Sequence, residues 1–137
     1  METGTIDPLI HLNETERACV QRYLETLTRR LAENLIAVWL FGSFARGDMW
    51  GKHWPMNSDL DLLILSKYSI TDQDREELTN ETYPLYLECG RQVSPQFRTV
   101  AEFQKPNTER GRAFKARLAE EGRLLLSSPA YKPETDH

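Results

Sequence analysis

Apolar positions along the chain change their period in a way that marks alternating helices and strands. Val20, Tyr23, Leu24, Leu27 and Leu31 recur at three- and four-residue spacing, which gathers them on one face of a helix. Asn13 and Glu16 form a capping box at its start, each side chain able to satisfy the other's amide, and Asn34 is the expected stop. Leu35–Phe41 (LIAVWLF) then breaks the helical period. It is apolar on both faces and ends at Gly42, which predicts a short central strand. Gly42-Ser43 next opens a short helical turn through Arg46, closed by Gly47. Leu60–Leu65 reads as a second strand. Thr71 with Asp74 caps a helix that reaches about Leu87 and ends at Gly90. Arg91–Arg98 is a third strand, and Pro95 places it at an edge or a bulge. Thr99–Gln104 forms one turn. Thr108–Glu120 is a helix with Phe114 and Leu118 inward and Gly122 at its C-terminal cap. The order predicts an α/β domain in two or three layers, a small mixed β-sheet backed by helices on one side.

At 137 residues the chain holds one domain and can bury a core without metal or disulfide staples. Residues 1–12 read as an N-terminal extension, 13–126 as the domain and 127–137 as a flexible tail. The polar ends hold three of the seven prolines. The net charge of −4 argues against general duplex binding, which normally leaves a basic footprint. Cys19 and Cys89 form no CxxC pair and read as reduced core thiols rather than a disulfide or a zinc site. The N-terminus lacks a basic-then-apolar leader, and the longest apolar run is far short of the roughly 20 residues a membrane span requires. A cytoplasmic location follows as the expectation.

Two segments carry chemistry. In Phe41-Gly42-Ser43-Phe44-Ala45-Arg46-Gly47 a strand ends in Gly-Ser and enters a helix. Gly42 lets the backbone approach a ligand closely, and the helix start at Ser43 points amides at an anion, phosphate above all. In Ser58-Asp59-Leu60-Asp61 the two aspartates lie two apart on a strand and project to one side, with Leu60 and Leu62 toward the core. Adjacent carboxylates repel as anions, and a hard cation between them resolves the repulsion. Magnesium suits that role, since it takes one or two carboxylates plus substrate phosphates.

Together these segments resemble the signature of the polymerase-beta-type nucleotidyltransferase superfamily, and of its minimal, MNT-type branch in particular. The resemblance covers residues 13 to 126. It implies the nucleotidyltransferase fold and a metal-dependent enzyme that moves an NMP from a nucleoside triphosphate, ATP first, to an acceptor hydroxyl. It also implies that Gly42, Ser43 and Arg46 bind the nucleotide, and that Asp59 and Asp61 are catalytic and hold magnesium, two ions or at least one. MNT proteins pair with a helical HEPN protein as the antitoxin of a toxin–antitoxin module, so the resemblance implies such a partner, with the acceptor hydroxyl on it.

The sequence departs from that pattern at two places. The loop from Asp48 to Asn57 is longer than in compact members and holds Trp50, Lys52, His53 and Trp54, able to stack a base, meet a partner or fold back on the domain. Full catalytic members also carry a third carboxylate on the following strand, where this chain reads Arg91-Gln92-Val93-Ser94-Pro95-Gln96-Phe97-Arg98. Ser94 takes that position by pattern, with Gln96 as the alternative and Glu88 or a partner chain as further sources. Arg46, Arg91 and Arg98 could reach phosphates or the aspartates, with surface ion pairing the simpler role for each. The run Arg110, Arg112, Lys115 and Arg117 reads as a solvated helix face. Two rival functions stand beside nucleotidyl transfer: a catalytically degenerate nucleotide-binding protein that neutralises a partner by contact, and an antibiotic-modifying enzyme of the aminoglycoside type.

Overall fold

The computed structural model describes residue 9, residues 12–42, residues 59–129 and residue 131. Helix α1 (Glu14–Leu31) opens with the expected capping box. The Asn13 side chain accepts the Glu16 amide at 2.7 Å, and Glu16 Oε1 accepts the Asn13 amide at 3.0 Å. A 3₁₀ turn over Ala32–Asn34 leads into β1 (Leu35–Phe41). Beyond the undescribed segment, β2 (Leu60–Ser66) leads to α2 (Asp72–Asn80), where the Thr71 hydroxyl accepts the Asp74 amide at 3.0 Å. Next come α3 (Thr82–Cys89), β3 (Val93–Thr99), α4 (Val100–Gln104), α5 (Glu109–Glu121) and β4 (Arg123–Ser127).

The single helix expected from Thr71 to about Leu87 is two helices. Pro84 has no amide to give to the Asn80 carbonyl and its ring crowds that carbonyl, so the first helix stops and a second starts at Thr82. Gly90 closes the second in the left-handed region at φ 73°, as expected of a C-terminal glycine.

The strand order is β3-β2-β1-β4. β3 runs parallel to β2, while β1 is antiparallel to both of its neighbours, so the sheet is mixed. β3 lies at the edge, where Pro95 leaves no ladder bond missing on an inner strand. β4 was not expected. Leu124 and Leu126 pair with Trp39 and Val38 of β1, so the sheet continues past Gly122. Trp39 Nε1 donates to the Tyr131 hydroxyl at 3.3 Å, which fastens residue 131 as well.

Helices cover both faces of the sheet rather than one. On the first face α1, α2 and α3 lay Val20, Tyr23, Leu27, Leu78 and Leu85 against Val38, Leu40, Leu60, Leu62 and Ile64, joined by Leu9 and Leu12 from the N-terminal stretch. On the second face α4 and α5 lay Phe103, Phe114 and Leu118 against Ala37, Trp39, Phe41, Leu63 and Leu65. This is why β1 and β2 are apolar on both sides: helices cover most of each face. No helix of the described residues is long and apolar enough to cross a membrane.

Candidate functional site

Asp59 immediately precedes β2 and Asp61 is its second residue. Both are partly exposed, while Leu60 between them is wholly buried on the first face. Leu63 and Leu65, two and four residues past Asp61, pack on the second face, so period-two alternation puts Asp61 on that face too. It stands at the rim of the Phe41, Phe103 and Phe114 cluster. The Phe41 and Phe114 rings meet edge-on at 5.2 Å, and Phe103 meets Phe114 at 6.3 Å. Such a rim gives a carboxylate an apolar neighbour on one side and solvent on the other, a setting in which charge interactions gain strength over bulk water.

The antiparallel register sets Phe41 opposite Asp61 and brings Gly42 against the aspartate. Gly42 has φ 81°, a conformation side chains rarely adopt. A Cβ built on it would collide with Asp61 Oδ2 and stand 3.3 Å from Cγ. Glycine is required here for both reasons, and its bareness leaves the carboxylate its place.

On β3 the parallel register pairs Ser94 with Asp61, Gln96 with Leu63 and Arg98 with Leu65. Ser94 therefore occupies the place beside Asp61 on the same face, and Gln96 lies one step farther along. Among the described residues no cluster of three or more His, Cys, Asp or Glu forms.

A cavity of about 530 Å³ opens from Gly42 between β3 and α5, with Gln96, Arg98, Arg110 and Arg117 around it and Phe41 and Phe114 among its apolar walls. The basic run of α5 is thus divided by face rather than uniformly solvated. Arg110 and Arg117 line the cavity, while Lys115 Nζ donates to the Gln104 carbonyl at 2.8 Å. The signal was present in the helical spacing: Arg110, Phe114, Arg117, Leu118 and Glu121 follow one face at i, i+4, i+7, i+8 and i+11.

Arg91 does make an ion pair, but a buried one with the first turn of α1. Its Nε donates to Glu16 Oε2 at 3.1 Å, with the two side chains only 12% and 7% exposed. Glu88 pairs with Arg22 on α1. Cys19 is buried in the core and its thiol is pushed up to about 12, chiefly by burial and next by Cys89 beside it. Ser43, Arg46, the helical turn to Gly47 and the loop with Trp50, Lys52, His53 and Trp54 lie outside the described residues.

Comparison with known proteins places this arrangement. The family model described as polymerase beta, nucleotidyltransferase, matches residues 23–129. A spectinomycin 9-adenylyltransferase of Enterococcus faecalis is 31% identical over 81 residues, which is 59% of this chain and 29% of that protein. The chain therefore spans under a third of that relative's length. Among solved structures, a toxin–antitoxin with AMP-PNP aligns with a TM-score of 0.50 at 16% identity, over 80% of this chain and 74% of that one. A candidate minimal nucleotidyltransferase aligns with a TM-score of 0.49 at 24% identity, over 90% of this chain and all of the other.

Proposed function

Because the chain belongs to the polymerase beta nucleotidyltransferase family, we propose that it transfers an NMP from a nucleoside triphosphate, ATP first, to an acceptor hydroxyl in a magnesium-dependent reaction. The observation that carries this reading is the placement of Asp61 against the bare backbone of Gly42 at the end of β1. Asp59 and Asp61 offer oxygen donors of the kind magnesium prefers, and the missing Cβ at Gly42 keeps a place for phosphate oxygens beside them. Magnesium there would neutralise phosphate charge and lower the pKa of the attacking hydroxyl. Gly42, with Ser43 and Arg46 beyond it, would hold the phosphates through backbone amides and charge. The acceptor oxygen bonds to the α-phosphorus as the bond to the leaving oxygen breaks and pyrophosphate departs. The hydroxyl proton passes to a base or to solvent.

Ser94 is a poor base and a weak ligand beside Asp61, so transfer is slow or depends on a partner that supplies the missing group. The MNT-type resemblance and the likeness to a toxin–antitoxin assembly support a helical HEPN protein as that partner, carrying the acceptor hydroxyl, with this chain as the antitoxin. The same serine favours a second reading, in which the chain binds nucleotide and neutralises its partner by contact alone.

One set of measurements separates them. Calorimetry with ATP, with and without magnesium, is expected to give metal-dependent binding that Asp59→Asn plus Asp61→Asn abolishes. Labelled-nucleotide transfer to the co-purified partner is expected to be slow in the native chain and faster in Ser94→Asp, toward the roughly 100- to 10,000-fold that a positioned base supplies. Unchanged binding in the double variant would overturn the metal assignment. Binding without any transfer, in the native chain and in Ser94→Asp alike, would leave the contact reading in place.

A further inference from the structure

A cavity outside the Gly42–Asp61 contact lies at the β3 edge of the sheet, between Ile70, Arg75 and Phe97 from the first face and Glu102 and Gly111 from the helices of the second. About 560 Å³ in volume, it opens where β2 and β3 end, with Arg75, Arg98 and Lys105 around it and Glu102 as the one acidic wall residue among the described residues. The register pairs Ser66 with Thr99 at this end and Asp61 with Ser94 at the other. The two pairs lie five positions apart along each strand, which sets Ser66 and Thr99 about 16 Å from Asp61 and Ser94. Gly42, Asp59 and Asp61 are not among the cavity's lining residues.

From this geometry we infer that the cavity is a second binding site, for a phosphomonoester of sugar or nucleotide size. Among the described residues lining it, cations outnumber acids by three to one. Glu102 is already engaged, its Oε1 accepting the Thr99 amide at 3.0 Å. Arg98 is held by the bond from its Nη1 to the Phe97 carbonyl at 2.8 Å, and Arg75 sits over the Phe97 ring at 5.4 Å, so two guanidinium groups are placed before any ligand arrives. Thr99 and Thr108 each accept a cap amide, from Glu102 at 3.1 Å and from Gly111 at 2.9 Å, and each keeps a hydroxyl proton that an anion can accept. Arginine forks, an ammonium and hydroxyl donors together match phosphate oxygens.

The size of the cavity argues for more than a free ion. Pockets of some 300–1,000 Å³ hold whole small molecules. Ile70, Phe97 and Pro106 give it an apolar wall on which the organic part of an ester can rest. Arg98, Thr108 and Gly111 also line the cavity beside Gly42, so the two spaces share one wall.

The test titrates the full chain with ribose 5-phosphate and, separately, with inorganic phosphate, by calorimetry and by amide chemical shifts. Ribose 5-phosphate is expected to saturate with shifts at Thr99, Thr108 and Gly111, and inorganic phosphate to bind more weakly because it leaves the apolar wall uncovered. Arg98→Gln and Lys105→Gln, both at exposed positions, are expected each to weaken binding by about tenfold or more, the scale of a hydrogen bond to a charged group. Asp59→Asn plus Asp61→Asn is expected to leave it unchanged, which keeps this result separate from the fate of the nucleotidyl-transfer reading. Absence of saturable binding at millimolar ribose 5-phosphate, or shifts centred on Gly42 and Asp61, would overturn the proposal. Equal affinity for inorganic phosphate would overturn the ester assignment.

Discussion

Replacing Gly42 by alanine perturbs two things at once, and Gly90→Ala perturbs one of them. Both glycines have positive φ, 81° and 73°, so a Cβ at either strains the backbone by about 1–2 kcal/mol. Nothing lies within 4 Å of a Cβ at Gly90, whereas one at Gly42 meets the Asp61 carboxylate. The colliding atom is the far end of a side chain, which can swing aside at small cost to folding. Gly42→Ala and Gly90→Ala are therefore expected to destabilise by similar amounts, some 3–5 °C in melting temperature per kcal/mol for a domain of this size. Their effects on ligand are expected to differ sharply. With Asp59 and Asp61 as the proposed magnesium ligands, turning the Asp61 carboxylate takes away one of the two, so Gly42→Ala is expected to weaken magnesium-ATP binding by tenfold or more, while Gly90→Ala leaves it unchanged. Thermal unfolding and calorimetry on the same preparations read both quantities. Normal magnesium-ATP binding by a folded Gly42→Ala would refute the argument, because the displaced carboxylate could not then be a ligand.

Glu16→Ala is expected to cost about 1.5–3 kcal/mol in urea unfolding, since it removes the carboxylate bonded to the buried Arg91 and half of the capping box. A loss under about 1 kcal/mol would show the pair to be solvated. Tyr23→Phe is expected to cost about 1–2 kcal/mol by the same measurement, because the hydroxyl donates to the Leu78 carbonyl at 2.8 Å in the core. Alkaline pH is expected to destabilise the fold. The Cys19 thiol rises from 9.0 to about 12 and the Tyr23 phenol rises also, both first by burial, so the folded chain keeps protons that the unfolded chain gives up. Stability is then fully present below about pH 9 and falls above it by up to about 1.4 kcal/mol per pH unit per group. Cys19→Ala is expected to make that decline shallower between pH 9 and 10, and an unchanged slope would assign the effect elsewhere.

Features that depend on neighbours along the chain are legible in the sequence. The Asn13–Glu16 box, the Thr71 cap, the Gly90 stop and the apolar β1 all follow from contacts within about four residues, and each is found where its residues predict it. The break at Pro84 belongs to the same class, since proline's missing amide is a local fact, and a helix carried through to Leu87 passes over it. Apolarity on both faces of β1 likewise implies cover on both sides, which the expectation of helices on one side did not follow through.

What the sequence by itself determined was most of the elements and the alternation that turns Asp59 and Asp61 one way and Leu60 the other, because side-chain direction on a strand has a fixed period of two. Only the tertiary structure decided what stands beside them. The pairing of Ser94 with Asp61, the closeness of Gly42 to that carboxylate, the joining of Arg91 to Glu16 across 75 residues and the continuation of the sheet into β4 are long-range contacts. Register between strands and the packing of a helix over a sheet set such contacts, and these minimise exposed apolar area and unpaired amides over the whole fold rather than over any one segment.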